Sequence, residues 1–284
     1  MRKADFQGFI SEVQSDLQAS RQTIKNKYDA SERQAIFGMC RKFSRASFPL
    51  DHGINKRVDE EVLRPYFLRS LKVFNSSEIT DYFTDRTKKI QLLRKSGIDS
   101  EGVTLSFTKG EGRQTTFKMH VPRTLTMNDQ IGYAHEMGHV PEIELLRRSF
   151  LEYEEVLPMF LEFITHLRRD SKFENALSYF LFVRLPMEQS VARDLEKLCK
   201  GANTRDPLIS KYHYYLIADW YKFLESLEYA IQLIYRSKDD MEAVTTEIEN
   251  ILCGKSLIDV AEDLDIHTEG CPMLQQEIKR IGRM

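Results

Sequence analysis

His135 and His139 stand four residues apart, with Glu136 directly after the first, in the run Ala134-His135-Glu136-Met137-Gly138-His139-Val140. On an α-helix that spacing puts both imidazoles on one face, one turn apart, where they can grip a single metal ion. Two nitrogens suit a tetrahedral Zn²⁺ site, and Glu136, one step along from the first ligand, can reach a water at the open position. Zinc lowers the pKa of its water and polarises a carbonyl, while the glutamate takes a proton during attack and returns it to a leaving nitrogen. The pentad predicts a hydrolase, with His135 and His139 as metal ligands and Glu136 as general base, then acid.

This chemistry needs a helix under the pentad and a third ligand. Thr126-Met127-Asn128-Asp129 reads as a helix start, with Thr126 at the N-cap and the Asp129 carboxylate near the positive end of the helix dipole. Pro141 lacks an amide hydrogen, which predicts a kink or an end after His139 and a short second helix over 142–148. The glutamates that could complete the site are Glu142, Glu144, Glu152, Glu154, Glu155 and Glu162. The run Glu155 to Ile164 is apolar apart from two glutamates seven apart, hence on one face. Pro158 fits only a first turn, so that helix should begin near Glu154 or Glu155. Ionised carboxylates in so apolar a helix need partners, and a zinc ion is one. Glu155 ranks first as third ligand and Glu154 second.

Around this centre the chain reads as helical. Apolar residues from Phe6 to Ile24 recur at three- and four-residue steps, and Ser31-Glu32-Arg33-Gln34 looks like a capping box for a helix through Phe43. Asp51-His52-Gly53 reads as a turn rather than a catalytic pair. Val58 to Phe74 is expected to be helical around Pro65, and Ser76 or Ser77 to cap a helix running to about Lys95, before Gly97. The β signal lies in Val103 to Thr108 and Gln114 to Val121, joined by the glycines of a hairpin turn in Lys109 to Arg113. Thr116 to Val121 is the candidate exposed edge on which an extended peptide could add by backbone hydrogen bonds. Helices are expected at Phe173 to Leu185, Met187 to Lys200, Ile209 to Tyr235, Met241 to Cys253, Ser256 to Leu264 and Pro272 to Ile281.

Composition narrows the class. The 284 residues, 42% hydrophobic and 11% aromatic, suffice for a packed core, and a formal charge of −2 gives no argument for general binding to nucleic acid or a membrane surface. Cys40, Cys199, Cys253 and Cys271 form no C-x-x-C pair, and the charged amphipathic start does not read as a secretory leader. A reduced, cytoplasmic protein is expected. No apolar run approaches the roughly twenty residues of a membrane span. Without a repeat or a clean linker, residues 1–284 are expected to form a single catalytic unit, with a helical N-terminal lobe over 1–96 and the catalytic part over 97–284.

These residues also resemble a known family, the thimet oligopeptidase and oligoendopeptidase F group of zinc peptidases. His135-Glu136-Met137-Gly138-His139 is similar to their H-E-F-G-H, and Glu155, Pro158 and Glu162 to their ligand glutamate, nearby proline and second glutamate. Lys211-Tyr212-His213-Tyr214-Tyr215 with Trp220-Tyr221-Lys222-Phe223 resembles their segment in which a His and a Tyr two apart precede a tyrosine-rich helix. The resemblance implies a gluzincin-type zinc peptidase whose partner is a peptide substrate. It assigns His213 and Tyr215, and more loosely Tyr221, to substrate or oxyanion contact, for which a neutral imidazole and a phenol have the donors. The chain is shorter than the family's peptidases, so a thinner helical dome and a more open cleft are expected, and the gap from His139 to Glu155, shorter than in thimet oligopeptidase, bears on which glutamate is the third ligand. Two other readings share the sequence: a helical interaction protein that retains a zinc site, and a zinc amide hydrolase acting on a small molecule.

The expectation is thus a mostly α-helical, zincin-like domain with a small β-hairpin or sheet ahead of the H-E-x-x-H helix, holding one zinc ion.

Overall fold

The structure, a computed structural model, describes residues 57–95, 102–109, 115–145, 155–185, 207–268 and 271–281, with 207–222 described by the backbone alone. The two N-terminal helices, the Asp51-His52 turn, the hairpin glycines Gly110 and Gly112, Glu152, Glu154 and the helix expected at Met187 to Lys200 lie outside these residues. Residues 49–183 with 225–275 form one compact unit, and residues 1–48, 184–224 and 276–284 another. The pentad, Glu155 and the β-strands all belong to the first, as do the described residues 57–95.

The architecture is mostly α-helical with small sheets, the larger of which precedes the pentad's helix. Strand β1, Arg57–Val58, leads through a 3-10 turn at Glu60–Val62 into α1, Leu63–Ser70. Pro65 is its third residue, where a missing N–H costs nothing. A second 3-10 turn, Leu71–Phe74, ends at Asn75 in the left-handed region (φ 51°). Helix α2, Ser77–Lys89, starts as expected, with the Ser76 hydroxyl accepting from Ile79 N–H.

Three expectations need correction here. Helix α2 stops at Lys89 rather than near Lys95, because Ile90 turns extended (ψ 122°) and Gln91–Arg94 becomes strand β2. Strands β3, Thr104–Lys109, and β4, Thr115–Val121, are the expected antiparallel pair, with Leu105 opposite Met119 and Phe107 opposite Phe117. Yet β2 lies parallel along the other side of β4, pairing Leu92 with Met119 and Arg94 with Val121. The sheet order β2-β4-β3 puts Thr116 to Val121 in the middle, so the strand expected to be an edge is not one, and β3 is. A short β5, Leu125–Thr126, pairs with β1, so Val58, expected in a helix, is in a strand.

The pentad's helix, α3, runs Met127–Leu145 without ending at Pro141. Its start matches the expected cap: the Asp129 carboxylate accepts from Thr126 N–H at 2.7 Å and from the Thr126 hydroxyl at 2.8 Å. Its last turn is held on α2, where Tyr82 Oη and Arg86 Nε both donate to Glu144 Oε2, at 3.0 and 2.6 Å. Pro141 is buried, and the helix that packs on α3 offsets the one ladder bond it forgoes. That neighbour is α4, Val156–Arg169, every residue of which from Val156 to His166 is buried. Behind α3, Tyr133 packs edge-on against Phe67 of α1, and burial pushes its phenol up to about 12.

Helical backbone follows over 173–185, designated α5, then α6 (Pro207–Asp239), α7 (Met241–Leu252), α8 (Leu257–Asp263) and α9 (Pro272–Ile281). In the second unit Arg280 Nε donates to the buried Glu277 at 2.7 Å. Cys253 is exposed and Cys271 buried. Among the described residues no helix is long and apolar enough to cross a membrane.

Glu228 of α6, fully buried, caps α9 by accepting from Met273 N–H at 3.1 Å and Leu274 N–H at 2.6 Å, with Gln232 Nε2 at 2.7 Å. Burial raises its pKa, against the lowering effect of these donors. A carboxyl that binds its proton more tightly folded than unfolded adds stability at low pH, and that contribution is lost as pH rises through the folded value. Glu228→Gln is therefore expected to flatten the fall in melting temperature between acid and neutral pH, while lowering stability at neutral pH because an amide NH₂ meets the α9 donors. Melting curves over the carboxylate range check both.

Candidate metal centre

Two helices and one strand build the site. On α3 the rings of His135 and His139 lie 5.0 Å apart, centroid to centroid, and nearly perpendicular. Glu155 is the N-cap of α4, and its carboxylate turns away from the helix's own N–H groups toward the imidazoles. His135 Nε2 is 3.3 Å from Glu155 Oε2, and His139 Nε2 is 3.8 Å from Oε1. Ligand atoms of these three residues all lie within 4.8 Å of one another, so the group could hold a metal ion.

The opposite ring nitrogens face carboxylates too. His135 Nδ1 is 3.6 Å from Glu162 Oε1, one helical face along from Glu155, and His139 Nδ1 is 3.5 Å from Glu142 Oε2. Glu162 and Glu142 are both nearly buried, with side chains 6% and 7% exposed. Were a cation seated between the Nε2 atoms and the Glu155 oxygens, Glu162 and Glu142 would hold the imidazole protons on Nδ1 and leave both Nε2 lone pairs to the ion. Glu142→Ala and Glu162→Ala are each expected to weaken metal affinity by about 10–100-fold without removing a ligand. Competition with a chelator of known affinity measures it.

What brings Glu155 to the histidines is a missing side chain. A Cβ at Gly138 would lie 2.4 Å from Pro158 Cα, 2.5 Å from Pro158 N and 3.0 Å from Leu157 C. The first turn of α4 thus rests directly on the α3 backbone, between the two histidines in sequence. Pro158 suits this seat because it has no N–H to leave buried against the facing helix.

Glu136 points to the sheet. Its Oε2 accepts from Leu105 N–H at 2.9 Å, so the outer edge of β3 holds the carboxylate beside the metal ligands. Of the other glutamates weighed as ligands, Glu144 is bound to Arg86, Glu142 and Glu162 support the imidazoles, and Glu152 and Glu154 lie outside the described residues. His213, Tyr215 and Tyr221 are in the helical backbone of α6, but their side chains lie outside the described ones. Sequence reasoning did not find Gly138, the Leu105 amide, or Glu142 as a partner of His139.

This fold has a solved counterpart. The crystal structure of a "putative peptidase from Chlamydophila abortus" superposes on the chain with a TM-score of 0.56 at 13% identity. The match covers 94% of this chain and 57% of the other, so this chain spans little more than half that neighbour's length. At this identity the likeness is one of fold. No protein-family model matches the sequence, and no curated protein does.

Proposed function

We propose that the protein is a zinc-dependent metallopeptidase that hydrolyses the peptide bonds of oligopeptides. The observation that carries this is the convergence of His135, His139 and Glu155 beside a glutamate that is not one of them. A donor set of two imidazoles and one carboxylate suits zinc with a position left for water. The structural neighbour, described as a peptidase of unproven activity, supports the reaction class.

A zinc ion bound there supplies a nucleophilic water at neutral pH and polarises the scissile carbonyl. The chain's own residues do the rest. Glu136 takes the proton of the attacking water and delivers it to the departing nitrogen, and the Leu105 amide fixes the direction from which it acts. Leu105 N–H points away from β4, so by the pleat the N–H and C=O of Phe107 face outward on the same edge. A substrate backbone extended along β3 would pair there, and the exposed Phe107 offers it an apolar side contact. From the family resemblance alone, His213, Tyr215 and Tyr221 are carried as substrate or oxyanion contacts.

The test is a diverse quenched-fluorescent peptide library, presented to zinc-loaded protein. Cleavage is expected, with both metal and cleavage lost in His135→Ala. Hydrolysis of N-acyl amino acids without peptide cleavage would instead make the protein an amide hydrolase of small molecules. Metal retained with no hydrolysis at all would leave a zinc-holding interaction protein.

A further inference from the structure

A second concave site lies on the same unit, away from the metal ligands. The end of α1, the 3-10 turn after it and the end of α4 enclose a cleft of about 500 Å³. Val73, Ile164 and Leu167 line it with apolar side chains, Val73 itself exposed, and Arg69, Lys72 and Arg168 line it with exposed cations. Among the described residues no carboxylate lines it. Arg168 is thirteen residues along α4 from Glu155, roughly 20 Å at the helical rise.

These cations need an explanation. Arg69 and Arg168 occupy last turns, where the helix dipole favours positive charge by a fraction of a kcal/mol at an exposed site, about 0.3–1. None of the three makes an ion pair among the described residues, although acidic residues outnumber basic ones in the chain, 43 to 41. Asp170, the nearest acid in sequence to Arg168, is committed to Lys172 N–H and Asn175 Nδ2. Tyr66 reports the same field from beneath: burial raises its pKa, while Arg169, Arg168 and Arg69 oppose the rise. Arg169 lies over the Tyr179 ring, with a buried Nη1 that has no hydrogen-bond partner.

We infer that this cleft binds a phosphate ester with a small apolar body. Two guanidiniums offer paired N–H donors that match phosphate oxygens, and Lys72 adds a point charge. A dianion balances most of the three charges, whereas a monocarboxylate leaves two unopposed. The apolar side chains of Val73, Ile164 and Leu167 give the rest of the molecule an apolar contact, and the volume falls within the range of small-ligand sites. The site is independent of the proposed hydrolysis, and its test reads no catalysis.

Phenyl phosphate is the probe, titrated calorimetrically into the full chain, with benzoate and inorganic phosphate as comparators. It is expected to bind more tightly than either, and less tightly as salt rises. The Arg69→Gln/Arg168→Gln double variant should weaken binding at least about tenfold, ~1.4 kcal/mol. Both side chains are exposed, so the fold should survive, and circular dichroism checks it. Should that variant misfold, Lys72→Gln is expected to weaken binding in the same direction. His135→Ala should leave binding unchanged. Equal binding by the arginine variant, loss in His135→Ala, which would put the anion at the metal centre, or parity between benzoate and phenyl phosphate would each overturn the inference.

Discussion

Glu136→Gln is expected to lower the rate of peptide hydrolysis by about 10²–10⁴-fold, the share a positioned general acid–base contributes, while the metal stays bound. Glutamine is isosteric with glutamate and its carbonyl oxygen can still accept from Leu105 N–H, so the β3 tether survives. It has no charge to take a proton from water and none to pass to the leaving nitrogen. The loss should fall on kcat far more than on KM, because the substrate's seat on β3 is unchanged. Metal content and steady-state kinetics on one cleaved peptide, measured together, decide it. A variant that keeps metal and full activity would remove Glu136 from the mechanism.

Gly138→Ala is expected to damage fold and site together. The new methyl would sit within 3.0 Å of three backbone atoms at Leu157 and Pro158, none of which can rotate away. Helices α3 and α4 must part, at a cost at or above the ~1–3 kcal/mol typical of overpacking. For a chain of this size that lowers the melting temperature by at least roughly 2–12 °C. Separation also carries Glu155 away from His135 and His139, so metal affinity should fall by more than the roughly 10–100-fold cost of losing an outer partner. A melting curve and a zinc titration on one sample test both parts. Ordinary stability with full zinc affinity would mean that the helices do not touch at Gly138.

The candidate metal-binding group was legible because most of it is local. His135, Glu136 and His139 occupy one turn of helix, and the Thr126–Asp129 cap announces that helix a few residues earlier. Glu155 was legible for a different reason: Pro158 pins the start of α4, and a carboxylate beside eight apolar residues interrupted only by Glu162 needs a partner, of which a cation is one. The place of Glu142 beside His139 was not legible. With a kink or an end expected at Pro141, the i,i+3 relation of the two is not assured, and α4 packed on α3 accompanies the helix past the proline.

The edge strand shows the complementary limit. Gln91–Arg94 has neither alternation nor β-branched residues, and nothing local ends α2 before it. Only pairing with β4 makes it a strand, which covers the far side of β4 and leaves β2 and β3 as the edges of the sheet, the Leu105 amide of β3 anchoring Glu136. By itself, then, the sequence determined the helical class, the pentad and a preference for Glu155, since each follows from spacings of a few residues. The tertiary structure alone decided which strand is open, why residue 138 must be glycine, and which carboxylates stand behind the imidazoles. Those depend on backbones distant in the chain coming within van der Waals reach, which no local periodicity encodes.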